Sequence, residues 1–182
     1  EDKIIIERGE ARYYSVISKI MEKYRPELIF HLAALPLAKL PNLVSDEAIE
    51  GCITSTSNLL EIAGNMKQKD GYEPHRFVYA SSSMVYGDFL NNPTKEEHPK
   101  KPKEIYGTMK LAGEQITKGL SKCFGIKSSI IRPSAVYGPT DMNRRVSLIF
   151  IEKAIKKQKI SIHGIDEKLD FSYVKDVAKG FV

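Results

Sequence analysis

Apolar and polar positions along the chain switch repeatedly between short strand-like runs and helical spacing. Lys3 to Glu7 encloses three consecutive isoleucines and predicts a buried strand. Tyr13, Ile17, Ile20 and Tyr24, with Val16 and Met21 beside them, fall on one helix face. Arg25-Pro26-Glu27 ends that helix, because the residue before a proline is pushed out of helical conformation. Leu28 to Leu32 has the size of a buried parallel strand. After a loop broken by Pro36 and Pro41, Ser45 predicts an N-cap, with Asp46 and Glu47 in the first turn where the helix dipole favours acids. That helix is expected to reach about Ala63 and stop at Gly64-Asn65, with Met66 to Pro74 as a polar loop. A strand at Arg76–Ala80 precedes a loop containing Pro93, Pro99 and Pro102. A helix from about Tyr106 to Phe124 is capped by Gly125, and a strand at Lys127–Ile131 is stopped by Pro133. A helix near Ser147–Lys157 and short strands at Ile160–Ile162 and Asp170–Tyr173 complete the pattern.

Strand and helix alternate at least three times, which predicts an α/β fold built on a doubly wound parallel sheet. No repeat or linker interrupts residues 1–182, so a single domain is expected. The chain opens on Glu1-Asp2-Lys3 and closes on Lys179-Gly180-Phe181-Val182 inside an apolar pattern, so both ends read as cut and the sheet as incomplete at each. Composition changes this little. With 42% hydrophobic and 28% charged residues the chain is neither disordered nor fibrous. The net charge of +5 is spread along the chain, without the basic stripe and interleaved aromatics of a nucleic-acid binder. The most apolar stretch, Leu28–Ala38, falls short of the roughly 20 residues a bilayer requires. Cys52 and Cys123 stand far apart, which predicts a reducing, cytoplasmic setting, and the histidines show no metal spacing.

Ligands of open α/β sheets bind beyond the carboxyl ends of the strands. Ala33 and Ala34, Ser81 to Ser83, and Arg132-Pro133-Ser134 each follow a predicted strand, so small or polar groups converge on one edge. Tyr106 and Lys110 lie four apart on one helix face. An ammonium beside a phenol favours the phenolate, which can take a proton from an alcohol, and Ser82 is the candidate to hold that oxygen.

The run Val78-Tyr79-Ala80-Ser81-Ser82-Ser83-Met84-Val85-Tyr86-Gly87, followed by Tyr106-Gly107-Thr108-Met109-Lys110-Leu111-Ala112-Gly113-Glu114, resembles the extended short-chain dehydrogenase/reductase family, in its NAD-dependent epimerase/dehydratase branch acting on nucleotide sugars. His31-Leu32-Ala33-Ala34, Asn58-Leu59-Leu60-Glu61, Arg132-Pro133-Ser134-Ala135-Val136-Tyr137-Gly138-Pro139 and Asp170-Phe171-Ser172-Tyr173-Val174-Lys175-Asp176 resemble further family motifs in the expected order. The resemblance implies a Rossmann-like fold and NAD as cofactor, with NADP left open. It implies Tyr106 as base, Lys110 as its partner on the nicotinamide ribose, and Ser82 as the catalytic hydroxyl. Ala33, Ala34 and Pro133 would lie along the cofactor. Ser82, Ser83, Tyr86, Ala135 and Arg144 would face a nucleotide-sugar substrate, in a substrate-binding part that begins at about residue 139. A homodimer through the Tyr106 helix is a further family expectation.

The family's glycine-rich pyrophosphate turn is absent from the sequence, so the resemblance places about 60 family residues before Glu1. Cys52, Ala135 and Leu169 replace an Asn, an Asn and an Arg common in the family, and Glu10 stands where an adenine-contacting Asp is frequent. Ser83 and Met84 stand where sugar 4,6-dehydratases carry acids, which favours a 4-epimerase and keeps a reductase in view. A non-catalytic dinucleotide-binding module of the same fold is the alternative, and the intact group Ser82, Tyr106 and Lys110 weighs against it. His31 is expected to be a hydrogen-bonded core residue.

Overall fold

The computed structural model describes residues 4–34, 45–141, 145–162, 164 and 168–182. The chain divides into two compact units, residues 1–132 and 133–182. In the first, β1 (Leu28–His31), β2 (Arg76–Ala80) and β3 (Ser128–Ile131) form a parallel sheet in that order, with Ile29 opposite Phe77 and Phe77 opposite Ser128. β1 alternates, with Leu28 and Phe30 exposed while Ile29 and His31 are buried, so only one face of this strand is covered. The core on that face joins Met21 of α1 (Tyr14–Tyr24) to Ile29, Phe77 and Tyr79 of the sheet. Leu60, Ile62, Ala63 and Met66 enter it from α3 (Ser55–Asp70). Each fully buried Leu or Phe in this cluster is worth about 1.5–3 kcal/mol of transfer free energy.

α3 continues past Gly64-Asn65, where the sequence predicts a stop. Met66 extends its apolar stripe, Lys67 and Lys69 suit its C-terminal dipole, and Gly71 at φ 74° supplies the left-handed cap. Gly64 serves packing instead: a methyl there would lie 2.2 Å from the Phe124 ring of α4 (Ile105–Phe124). Ahead of α3, the short α2 (Ser45–Ile49) runs into a π-helical turn at Glu50–Thr54. The wider turn frees carbonyls, and two hydroxyls take them up: Ser55 Oγ donates to Gly51 O at 2.7 Å and Thr56 Oγ1 to Cys52 O at 2.6 Å.

Two predicted strands are absent. Ile4, Ile5 and Ile6 are exposed and unpaired with any strand among the described residues. A β-branched run has strand propensity but needs a neighbour to pair with. Ile160–Ile162 likewise carries no strand. In the second unit the partner of β5 (Phe171–Tyr173) is instead β4 (Ala135–Tyr137), parallel, with Ala135 opposite Phe171. At three residues, β4 is too short to announce itself by alternation. α5 (Val146–Ile155) and α6 (Val174–Phe181) complete this unit.

Candidate functional site

β2 is the central strand of the first sheet, and its carboxyl end carries the residues singled out by sequence. Ser81 and Ser82 follow it and are buried. Ser82 is extended, and its hydroxyl accepts from Met84 N at 3.2 Å, which caps the short 3-10 turn Ser83–Val85. The first turns of α4 press on that segment. A methyl on Gly107 would lie 2.5 Å from Met84 O, so a residue without Cβ permits this approach. Tyr106, half-buried, is thereby brought to the Ser82 turn by its neighbour in sequence.

Lys110 is buried under both rings of the site, its Nζ 5.3 Å from the Tyr79 centroid and 5.8 Å from that of Tyr106. Its ammonium donates to Ala80 O at 2.7 Å. Burial holds the Lys110 pKa below its ordinary value, partly offset by Cys52. Tyr79 donates weakly to Lys110 O at 3.4 Å, and burial raises its pKa. Beneath them His31 meets Thr56 Oγ1 at 3.0 Å and Ser55 Oγ at 3.2 Å, as a hydrogen-bonded core residue. Burial, assisted by the Lys110 charge, lowers its pKa to about 4, so the ring is neutral at pH 7.

A second polar group adjoins the first. Glu114, fully buried on α4, takes a two-pronged contact from Arg132, at 2.7 Å from Nε and 2.8 Å from Nη2. Ser81 Oγ donates to the same carboxylate at 2.7 Å. Burial opposes ionisation of Glu114, but Arg132 and Ser81 together hold its carboxyl below the usual range. Glu114 raises the Arg132 pKa in turn. The sequence pattern places Arg132 among the polar groups at the strand ends and gives Glu114 no separate role. Tyr106, Lys110 and Glu114 recur every fourth residue on one helix face, which places the acid on the site's side of the helix but does not name its partner.

Among the other sequence candidates, Ser83 is half-buried at the start of the 3-10 turn. Tyr86 is buried, and its hydroxyl accepts from Arg132 Nη1 at 2.9 Å. Ala33 is exposed and Ala34 half-buried just beyond β1. Pro133 and Ala135 belong to the second unit, Ala135 as the first residue of β4. Arg144 lies outside the described residues. Glu10 forms an ion pair with Arg12 at 2.5 Å, and Arg12 also donates to Glu50 at 2.6 Å. Among the described residues, no cluster of His, Cys, Asp or Glu could hold a metal ion, and no helix is long and apolar enough to cross a membrane.

Ala33 and Ala34, the last described residues after β1 and Leu32, carry small side chains. Lys110 uses one of its three N–H donors on Ala80 O, which leaves donors for a ribose hydroxyl. The residues present therefore fit the nicotinamide-ribose end of a dinucleotide.

Comparison with known proteins identifies the family. The sequence matches the family described as NAD dependent epimerase/dehydratase along residues 1–182. It is 36% identical over 160 residues to a Methanocaldococcus jannaschii protein provisionally named UDP-glucose 4-epimerase, covering 84% of this chain and 50% of the relative. It is 26% identical to the dTDP-D-glucose 4,6-dehydratase of Dictyostelium discoideum, covering 96% of this chain and 42% of the relative. The structure superposes on the crystal structure of UDP-glucose 4-epimerase with UDP-glucose from Thermotoga maritima. The TM-score is 0.84 at 25% identity, over 96% of this chain and 57% of that one. The chain spans about half the length of the curated relatives it matches.

Proposed function

The chain belongs to the NAD-dependent epimerase/dehydratase family, and from that premise we propose that it carries the proton-handling centre of a nucleotide-sugar 4-epimerase-type oxidoreductase. The observation that carries the reading is the buried Lys110 ammonium beneath the Tyr106 ring, on the helix that Gly107 seats against the Ser82 turn.

NAD, when bound, would accept a hydride from the sugar carbon and give it back to that carbon's other face; Ala33, Ala34, Tyr106 and Lys110 would hold it, and the family resemblance adds Pro133. Tyr106 takes the proton of the reacting sugar hydroxyl. Lys110, kept close by Ala80 O, favours the phenolate electrostatically and offers its remaining donors to the ribose. The Ser82 hydroxyl orients the sugar oxygen, and returning the proton from Tyr106 closes the cycle. Ser83 and Tyr86 would face the nucleotide sugar; the family resemblance adds Ala135 and Arg144 and starts the substrate-binding part near residue 139. Ser83 and Met84, neither an acid, support epimerisation over dehydration. A cytoplasmic homodimer acting on a UDP-sugar completes the reading.

The test is Tyr106→Phe in the full-length protein. Turnover of UDP-glucose with NAD is expected to fall about 100-fold or more, the usual contribution of a positioned acid-base group, while NAD still binds. Turnover within a few-fold of wild type refutes Tyr106 as the base.

A further inference from the structure

We propose that the buried Glu114–Arg132 ion pair is a positioning device that clamps both ends of the short turn presenting Ser82. Its catalytic consequence rests on the function proposed above. At the near end, Ser81 Oγ donates to Glu114 Oε1 at 2.7 Å. At the far end, Arg132 Nη1 donates to the Tyr86 hydroxyl at 2.9 Å, with the guanidinium 5.2 Å from the Tyr86 centroid. Residues 82–85 lie between these two anchors, and the anchors share one ion pair. The same Nη1 donates to Glu96 O at 3.1 Å, which ties the following loop to the clamp. Gly107 of α4 closes the third side against Met84 O.

The energetics point the same way. Glu114 is fully buried and the Arg132 side chain is 15% exposed. An ion pair in such a place is a weak source of net stability, since desolvating two charges offsets their attraction. The bonds to Ser81 and Tyr86 satisfy remaining groups of the pair, and in doing so they tie it to both ends of the turn. Those bonds fix where Ser82 stands relative to α4, the helix that also carries Tyr106 and Lys110. Misplacing a reacting group by about 1 Å can cost on the order of 100-fold in rate.

Two variants of the full-length protein test the clamp. Ser81→Ala releases the near end with the smallest possible change. Arg132→Lys keeps the charge and loses the planar fork. Hydrogen exchange of amides 82–86 is expected to quicken about tenfold or more in both, the loss of roughly one hydrogen bond's worth of protection. Amides 57–66 of α3 should be unchanged. Unaltered exchange in 82–86 in a folded Ser81→Ala protein overturns the clamp. This readout needs no turnover, so it stands apart from the proposed reaction, which fails if the wild-type protein does not epimerise any UDP-sugar with NAD. In an active enzyme, kcat should fall about tenfold or more, with KM and NAD affinity held. A loss of activity that merely tracks the loss of folded protein would reduce the pair to a structural role and overturn the proposal.

Discussion

Acidification should destabilise the first unit through one ring, that of His31. It is 3% exposed, contacts two hydroxyls through Nε2, and lies 6.0 Å from the Phe77 ring and 5.9 Å from the Tyr79 ring. Burial first, and the Lys110 charge second, lower its pKa from 6.5 to about 4. The unfolded chain takes up the proton near 6.5 and the folded chain resists until about 4, so between those values the unfolded state binds more protons. The stability contribution is complete above 6.5 and is lost as pH falls through that window. At 1.36 kcal/mol per pKa unit, the loss is about 2 kcal/mol by pH 5 and approaches about 3 kcal/mol near pH 4. Asp70, held at about 2 by Arg25, and Glu114 lose their contributions only below their ordinary carboxylate values, so the upper half of the window reports His31. Urea unfolding at pH 7.5, 6.0 and 5.0, on the wild-type chain and on His31→Asn, measures this. The wild type should lose about 2 kcal/mol over that interval and the variant much less. Parallel loss in the two proteins would refute the assignment of the proton uptake to His31.

Two further outcomes follow from packing. Gly64→Ala drives a methyl into the Phe124 ring and should cost about 1–3 kcal/mol by overpacking, less about 1 kcal/mol from better helix propensity. In a Phe124→Ala background the same change should stabilise, and so should Gly119→Ala, which meets nothing within 4 Å. Thermal melts of the wild type and the four variants give the signs, and destabilisation by Gly64→Ala in the absence of the Phe124 ring would contradict the contact. Thr117 Oγ1 is buried on α4 without a hydrogen-bond partner among the described residues. Thr117→Val should therefore raise stability by about 1 kcal/mol, as expected for removing an unsatisfied hydroxyl. A loss of that size in urea unfolding would show the hydroxyl to be bonded.

What was legible in the sequence divides along physical lines. Strands β1 and β2 and helix α1 were readable because their apolar spacing is set by burial, whereas β3 and α4 were readable from the breaks at Pro133 and Gly125 that bound them. Tyr106, Lys110 and Ser82 stand out in the sequence by their spacing and order, and the structure puts Lys110 Nζ 5.8 Å from the Tyr106 ring centroid. The isoleucine run at residues 4–6 misled because propensity does not supply a strand partner. Gly64 misled because a glycine inside a helix can mark either an end or a close approach, and only the Phe124 ring distinguishes them. β4 was missed because three residues are too few for alternation to emerge from composition. The Glu114–Arg132 contact was missed because it joins residues on different elements, which no local pattern encodes.

The buried stripe of α4 brings these strands of the argument together. An ordinary core helix buries Leu and Ile, whereas this one buries Gly107, Lys110, Gly113, Glu114, Thr117 and Ser121. Such a stripe gives up hydrophobic transfer energy and adds the cost of desolvating two charges. Its first half recovers part of that cost locally, through Lys110 on Ala80 O and Glu114 on Arg132 and Ser81. Its glycines bring the helix onto Met84 O and under the Tyr79 hydroxyl. Apart from Arg132, which follows β3, each of these contacts falls on β2 or on the segment just after it. α4 is thus fitted to the carboxyl end of the central strand by polar and steric detail rather than by apolar bulk. This arrangement suits a helix that must hold a phenol and an ammonium at fixed distances from a serine.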